Sequence, residues 1–339
     1  MLASEGCGQK KSATAPGNAS QAATSDHAAP ASFDEIRFRA ERGDAKSQFN
    51  LGLACARGDG VTKDAAQAVT WFRKAAEQND ADAQYYLGAC YSSGFGVAKD
   101  QAEAVKWYRK AAGQPLPVAH IAQYNLGLHY AHGDGVERNE AEAVKWYRKA
   151  SEGGAAYAQC RLGFCYANGQ GVPQDYGEAV KWFREAAAQN DADAQFNLGV
   201  CYVNGQGVPK DDAEAVKWYR KAAERGSAEA QNNLANCYAF GFGVAKDQAE
   251  AVKWYRLAAE AGIANAQCSL GKYYSEGNGV PKDYVEAYKW YSLASEQGYA
   301  NANQGLSLVR QWITPGQIAE AQRRAAAFVP RKATADSGF

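Results

Sequence analysis

Apolar residues recur along this chain at helical spacing. In "ADAQYYLGACYSS", residues 81–93, Ala83, Leu87, Cys90 and Tyr91 fall at offsets 0, 4, 7 and 8, one stripe of an amphipathic helix. In "DQAEAVKWYRKAA", residues 100–112, Ala104, Trp107, Tyr108 and Ala111 fall at offsets 0, 3, 4 and 7, a second such stripe. Between them, Gly94 suits the left-handed end of the first helix. Asp100 opens the second helix as its N-cap, and Glu103 three residues on predicts a capping box. The pattern therefore predicts two helices joined by a G-x-G turn.

That pair repeats. "GFGVAKDQAEAVKWYRKAA" at 94–112 returns as "GFGVAKDQAEAVKWYRLAA" at 241–259, with weaker copies around and between them. Tryptophan marks the register at Trp71, Trp107, Trp146, Trp182, Trp218, Trp254 and Trp290, spaced by 36 residues with a single gap of 39. The long gap contains "GQPLPVAH" (113–120), whose two prolines suit an extended loop. The same box is predicted in every unit: Asp64 with Gln67, Asn139 with Glu142, Asp175 with Glu178, Asp211 with Glu214, Asp247 with Glu250, and Asp283 with Glu286. Gly88, Gly127, Gly163 and Gly199 fall mid-helix, where glycine costs about 1 kcal/mol against alanine, so close helix–helix approach is expected. Seven units of about 36 residues predict an all-α solenoid of stacked helix–turn–helix repeats.

Composition narrows the chemistry. Among 339 residues, 37 basic side chains balance 37 acidic ones, which counts against a dedicated nucleic-acid binder. The G-x-G turn lacks the third glycine or G-K-[ST] of a nucleotide loop, and the acidic cap already takes the helix N–H groups a phosphate would need. Lysines on the second helix follow acids by three residues, as Lys106 follows Glu103 and Lys145 follows Glu142, so a solvated mixed-charge face is expected. No apolar run approaches the roughly 18 residues of a membrane span.

The pattern A-x-A-Q-x-x-L-G-x-x-Y-x-x-G-x-G-V-x-x-D-x-x-x-A-x-x-W-[YF]-x-x-A-A resembles the Sel-one-like repeat family, relatives of tetratricopeptide repeats, over about residues 45–325. The resemblance implies a right-handed superhelix serving as a non-catalytic adaptor for other proteins. Disulfide-bonded relatives carry paired cysteines at places held here by residues such as Ala111 and Gln195, so that trait is not carried over. Cys90, Cys165, Cys201 and Cys237 share one helical position and Cys160 and Cys268 another, and small buried thiols are expected. His129 and His132, three residues apart on one helix, have no third ligand beside them; no metal and no cofactor are expected.

The ends read differently. Residues 1–31 are small, polar and aperiodic, a disordered tether. "GCGQKK" around Cys7 resembles the start of a mature lipoprotein and favours a periplasmic or outer-membrane location over the cytoplasm. Ser4 stands where such a signal would carry Leu, and the alternative is an ordinary tail with one stray cysteine. Residues 32–44 predict a half-repeat helix capped by Ser32, residues 45–299 the seven repeats, 300–325 a capping helix pair entered by Thr314 and Pro315, and 326–339 a flexible tail.

Positions constant between units hold the fold, and those that vary are free to specify partners. Gln48, Gln84, Gln123, Gln159, Gln195, Gln231 and Gln267 never vary and are expected to be structural. Another stripe on the same first helices varies: Asn50, Arg57, Tyr86, Asn125, His132, Arg161, Phe164, Asn197, Asn204, Asn233, Asn236, Phe240 and Lys272 are the candidate peptide-binding residues. Asparagine amides offer donor and acceptor to a peptide backbone, and Arg57, Arg161 and Lys272 offer charge to carboxylates. The expected function is a monomeric, non-catalytic scaffold binding a protein or peptide in the concave groove that tetratricopeptide-type first helices line. The alternative is an envelope-associated hydrolase or a carbohydrate- or peptidoglycan-binding protein using the same groove, although no repeat-specific nucleophile–base or paired-carboxylate arrangement is found.

Overall fold

The computed structural model describes residues 32–114 and 118–331. The N-terminal segment with Cys7, the centre of the "GQPLPVAH" insertion and the tail beyond residue 331 lie outside the described residues. Within them are seventeen α-helices and no strand. The half-repeat α1 (Phe33–Glu41) precedes seven helix pairs. These are α2 (Ala45–Arg57) with α3 (Ala65–Glu77), α4 (Ala81–Ser93) with α5 (Gln101–Ala112), and α6 (Val118–His132) with α7 (Glu140–Glu152). Next come α8 (Ala156–Asn168) with α9 (Tyr176–Ala188), α10 (Ala192–Asn204) with α11 (Asp212–Glu224), and α12 (Ala228–Phe240) with α13 (Gln248–Glu260). The seventh pair, α14 (Ala264–Glu276) with α15 (Tyr284–Glu296), is followed by α16 (Ala300–Val309) and α17 (Pro315–Ala326). The chain divides into two compact units, and the division falls inside α9 between Trp182 and Phe183.

One contact explains how each pair closes. In the N-terminal unit, Gly88 of α4 lies under Tyr108 of α5; a Cβ there would sit 2.8 Å from the ring. Gly127 faces Tyr147 so closely that a Cβ would come within 2.3 Å, and Gly52 faces Phe72 at 2.7 Å. The C-terminal unit repeats this with Gly199 under Tyr219, at 2.5 Å. Glycine's lost helix propensity thus permits a large, fully buried aromatic ring to be enclosed.

Both glycines of the turn adopt positive φ, 79° at Gly94 and 65° at Gly96. Gly94 caps α4, and its N–H donates to the Cys90 carbonyl. Gly96 has a second reason: a Cβ would lie 2.1 Å from the Ala65 carbonyl oxygen, at the start of the preceding repeat's second helix. Gly243 meets the Asp212 carbonyl in the same way. The turn is therefore an inter-repeat contact as well as a reversal.

The constant glutamines are structural. Gln84 Nε2 donates to the Ala76 carbonyl (3.3 Å), Gln231 to that of Ala223 (3.1 Å) and Gln267 to that of Ala259 (3.1 Å). Each ties a first helix to the end of the preceding repeat's second helix, satisfying buried polar groups at the joint. Trp107 packs against the core cluster around Phe49, Phe72 and Leu87, so it too bridges to the preceding repeat.

The predicted capping boxes form by half. Asp100 accepts from the Glu103 N–H at 3.0 Å, and Asp211 from that of Glu214 at 2.9 Å. The reciprocal bond is absent there because each cap's own N–H already has a carbonyl: Asp100 N donates to Tyr91 O (2.9 Å) and Asp211 N to Tyr202 O (3.0 Å). The glutamates turn outward instead, Glu103 to Lys106 (2.5 Å) and Glu214 to Lys217 (2.7 Å). Among the described residues the complete box is at Thr314 and Gln317, which opens α17.

In the C-terminal unit α17 packs on α15. Phe328 then lies edge-on to Trp290 (5.6 Å), and the Arg331 N–H donates to the Glu260 carbonyl at 2.7 Å. Arg324 reaches Glu286 at 2.9 Å. The array is thereby closed over its last two second helices.

Candidate functional site

The variable stripe on the first helices separates into a buried part and an exposed part. Tyr86, Asn125, Arg161, Phe164 and Asn197 are buried; Asn50, Asn233 and Asn236 are half-buried; Arg57, His132, Asn204, Phe240 and Lys272 are exposed. Apart from Lys272, which lies one turn earlier, the exposed members are the last residues of their first helices, where each passes into the G-x-G loop.

In the N-terminal unit the buried members are engaged internally. Asn125 Nδ2 donates to the Ile121 carbonyl at 2.9 Å, and the amide also bonds the Tyr85 hydroxyl. The Tyr86 ring meets Phe49 edge-on at 5.2 Å. The Arg161 guanidinium lies over the rings of Tyr147 and Phe164 at 5.8 and 5.3 Å. His129, buried on α6, donates from Nδ1 to the Asp134 carbonyl at 2.7 Å, a tautomer set by that acceptor. Burial holds its pKa below the ordinary 6.5. His132 is exposed, 4.0 Å from the Asp134 carboxylate. No group of three potential metal ligands occurs among the described residues.

The C-terminal unit shows the same logic. Asn197 donates to the Asp193 carbonyl at 2.8 Å, Asn233 bonds the Tyr219 hydroxyl, and Asn236 accepts from the Tyr255 hydroxyl at 2.6 Å. Asn125, Asn197, Asn233 and Asn236 therefore hold buried tyrosines or helix carbonyls instead of presenting free amides to a partner. Sequence spacing gave no sign of this, because the tyrosine hydroxyls come from other helices: Tyr85 from α4, Tyr219 from α11 and Tyr255 from α13.

Two further features went unread in the sequence. Second-helix arginines donate to a tyrosine of the next repeat, 18 residues later in Arg73 to Tyr91 (2.7 Å), Arg148 to Tyr166 (2.7 Å) and Arg256 to Tyr274 (2.7 Å), and 21 residues later across the three-residue insertion in Arg109 to Tyr130 (2.6 Å). The spacing, constant apart from that insertion, was the available signal. The second is a set of exposed apolar side chains in the C-terminal unit, Phe242, Leu308 and Trp312 beside the anticipated Phe240.

The cysteines are interior. Cys55, Cys90, Cys165, Cys201 and Cys237 are buried free thiols, and Cys268 is a half-buried one. Burial pushes the thiol pKa of Cys90 and Cys201 up to about 12, and those of Cys165 and Cys237 up to about 11, so they stay protonated and unreactive. Cys160, at the other shared position, is buried as well.

A family model described as Sel1 repeat matches seven stretches: residues 45–80, 81–115, 120–154, 156–191, 192–227, 228–263 and 264–299. Among solved structures, the chain is similar to a protective antigen of uropathogenic Escherichia coli strains displaying an SLR fold, at 37% identity and a TM-score of 0.78. That match covers 88% of this chain and 64% of the other, so the chain spans less than two thirds of that relative's length. It is also similar to a Sel1 repeat protein from Oxalobacter formigenes, at 34% identity and a TM-score of 0.71, covering 82% of this chain and 79% of that one. No curated protein matches the chain.

Proposed function

The chain belongs to the Sel1 repeat family, whose members generally mediate protein–protein interaction, and from that premise we propose that it is a non-catalytic scaffold whose first-helix ends capture a protein or peptide segment. One observation carries the reading: positions constant between repeats are consumed by the fold, whereas the exposed position closing each first helix changes character from unit to unit. In the N-terminal unit it is Arg57, Ser93, His132 and Asn168; in the C-terminal unit it is Asn204, Phe240 and Glu276. A surface that varies over a constant frame suits a partner recognised by side chains. Several second-helix lysines are matched to acids, Lys145 with Glu142 at 2.9 Å for example, which supports a reading without nucleic-acid binding.

Because Asn125 and Asn197 serve the interior, the informative substitutions are at exposed positions. The variant R57A/N204A/F240A is expected to keep its melting temperature and lose most partner recovery in a crosslinking pull-down from the native host. Undiminished recovery would place binding elsewhere. Turnover of β-lactams or peptidoglycan fragments by the wild-type chain would favour the hydrolase alternative instead.

A further inference from the structure

The four large apolar side chains left exposed around α12 and α16 form two stations in the C-terminal unit. At the first, Phe240 and Phe242 are 64% and 55% exposed, with ring centroids 5.7 Å apart. They flank Gly241, and the root of the Lys246 side chain is close by: a Cβ on Gly241 would meet Lys246 Cβ at 3.5 Å. At the second, Trp312 is 67% exposed and stacks on Tyr284, with planes 12° apart and centroids separated by 6.4 Å. Leu308, 63% exposed, is on the same stretch, and Lys282 Nζ lies 5.7 Å from the Tyr284 ring centre.

The stations share a register. Ala230, Ala266 and Ala302 are fully buried at equivalent points of α12, α14 and α16, and ten residues beyond each come Phe240, Glu276 and Trp312. In sequence both stations fall on the variable stripe, Phe240 and Glu276 closing α12 and α14 and Trp312 following the end of α16 by three residues, with Lys272 and Glu276 between them in the chain and paired at 3.9 Å. The aromatics are particular to these places: the corresponding residues are Asn204 and Gln206 in the preceding repeat, and Glu276 and Asn278 in the following one. Exposed aromatic clusters of this kind mark interaction sites.

Charge selects the occupant. Lys246 and Lys282 are exposed and, among the described residues, neither has a carboxylate at ion-pair distance, unlike the second-helix lysines such as Lys217, 2.7 Å from Glu214. Each station thus offers an aromatic surface beside an unmatched cation, while Glu276 between them disfavours an acid at the centre. First helices two repeats apart lie roughly 20 Å from one another at the usual spacing of packed helices. An extended chain covers that in about six residues.

Resting on the scaffold reading above, we infer that this face of the C-terminal unit binds an extended peptide of another protein carrying two apolar–acidic pairs about six residues apart, one pair at each station. The test is selection of a displayed library of random peptides on the full chain, followed by titration of the enriched peptides. Sequences with that spacing are expected, with at least tenfold weaker binding to F240S/F242S and to W312S, and a turn toward basic peptides for K246E/K282E. Melting temperatures should be unchanged, since all five positions are at the surface. Enriched peptides indifferent to these variants, or a failure to enrich any, would overturn the inference. So would concentration-dependent dimerisation abolished by W312S, which would give the face to a second copy of the chain. Loss of partner recovery in R57A/N204A/F240A with the wild-type library result negative would leave the scaffold standing and remove only this peptide specificity.

Discussion

At the scale of single residues, two opposing effects decide what each helical glycine is for. Replacing Gly127 by alanine gains about 1 kcal/mol of helix propensity, but overpacking against a close-fitting ring costs roughly 1–3 kcal/mol. With the new Cβ 2.3 Å from Tyr147, the clash wins. G127A should therefore lower stability by up to about 2 kcal/mol in denaturant melts. At Gly271 the nearest ring atom is 3.0 Å away, and the sixth repeat already accommodates Ala235 at the equivalent place, so G271A should be close to neutral. His129 supplies a pH dependence. Its folded pKa lies below the ordinary 6.5, so the unfolded chain takes up a proton that the fold excludes. Stability is full above about 6.5 and falls as pH drops below it. Asp134, His132 and the Tyr108 ring surround the imidazole, and burial outweighs the favourable Asp134 contribution. H129C, which installs the residue found at that position in Cys90, Cys165, Cys201 and Cys237, should flatten that part of the stability–pH profile; an unchanged slope would assign it to another group.

At the scale of elements, periodicity made every repeat helix legible, and tryptophan spacing made their register legible. The half-formed caps show where local reading stops. Asp211 and Glu214 have the right spacing for a reciprocal box, but the cap N–H is taken by Tyr202 O, a carbonyl from the preceding helix of the same repeat. That acceptor is invisible in a four-residue window. The two residues should accordingly separate on substitution. D211A removes the bond to the N3 amide and should cost about 1 kcal/mol. E214Q breaks an ion pair exposed to solvent and should leave the melting temperature unchanged. Equal losses would mean that the glutamate caps the helix after all. The asparagine stripe failed as a continuous ladder for a related reason. Asn233 and Asn236 lie on the face that the spacing predicted, yet they answer to Tyr219 and Tyr255, whose hydroxyls arrive from other helices.

At the scale of the whole molecule, repetition assigned the fold, and the departures from repetition carry the functional information. A repeat array needs its interior positions constant, so Gln267 or Gly199 says nothing about a partner. Phe240 and Trp312 do, because each leaves most of a large apolar ring exposed to solvent. Their exposure became apparent only with the helices in place, since "AFGFGVAKD" in the sixth repeat reads almost as "SSGFGVAKD" in the second, where Phe95 is half-buried against the core. The most direct test of the scaffold account is photo-crosslinking from single positions in the native host. A photoreactive residue at Arg57, Asn204 or Phe240 should capture the partner, and one at Lys106, Lys145 or Lys217 on the second-helix face should not. Capture confined to the second-helix positions would contradict the account.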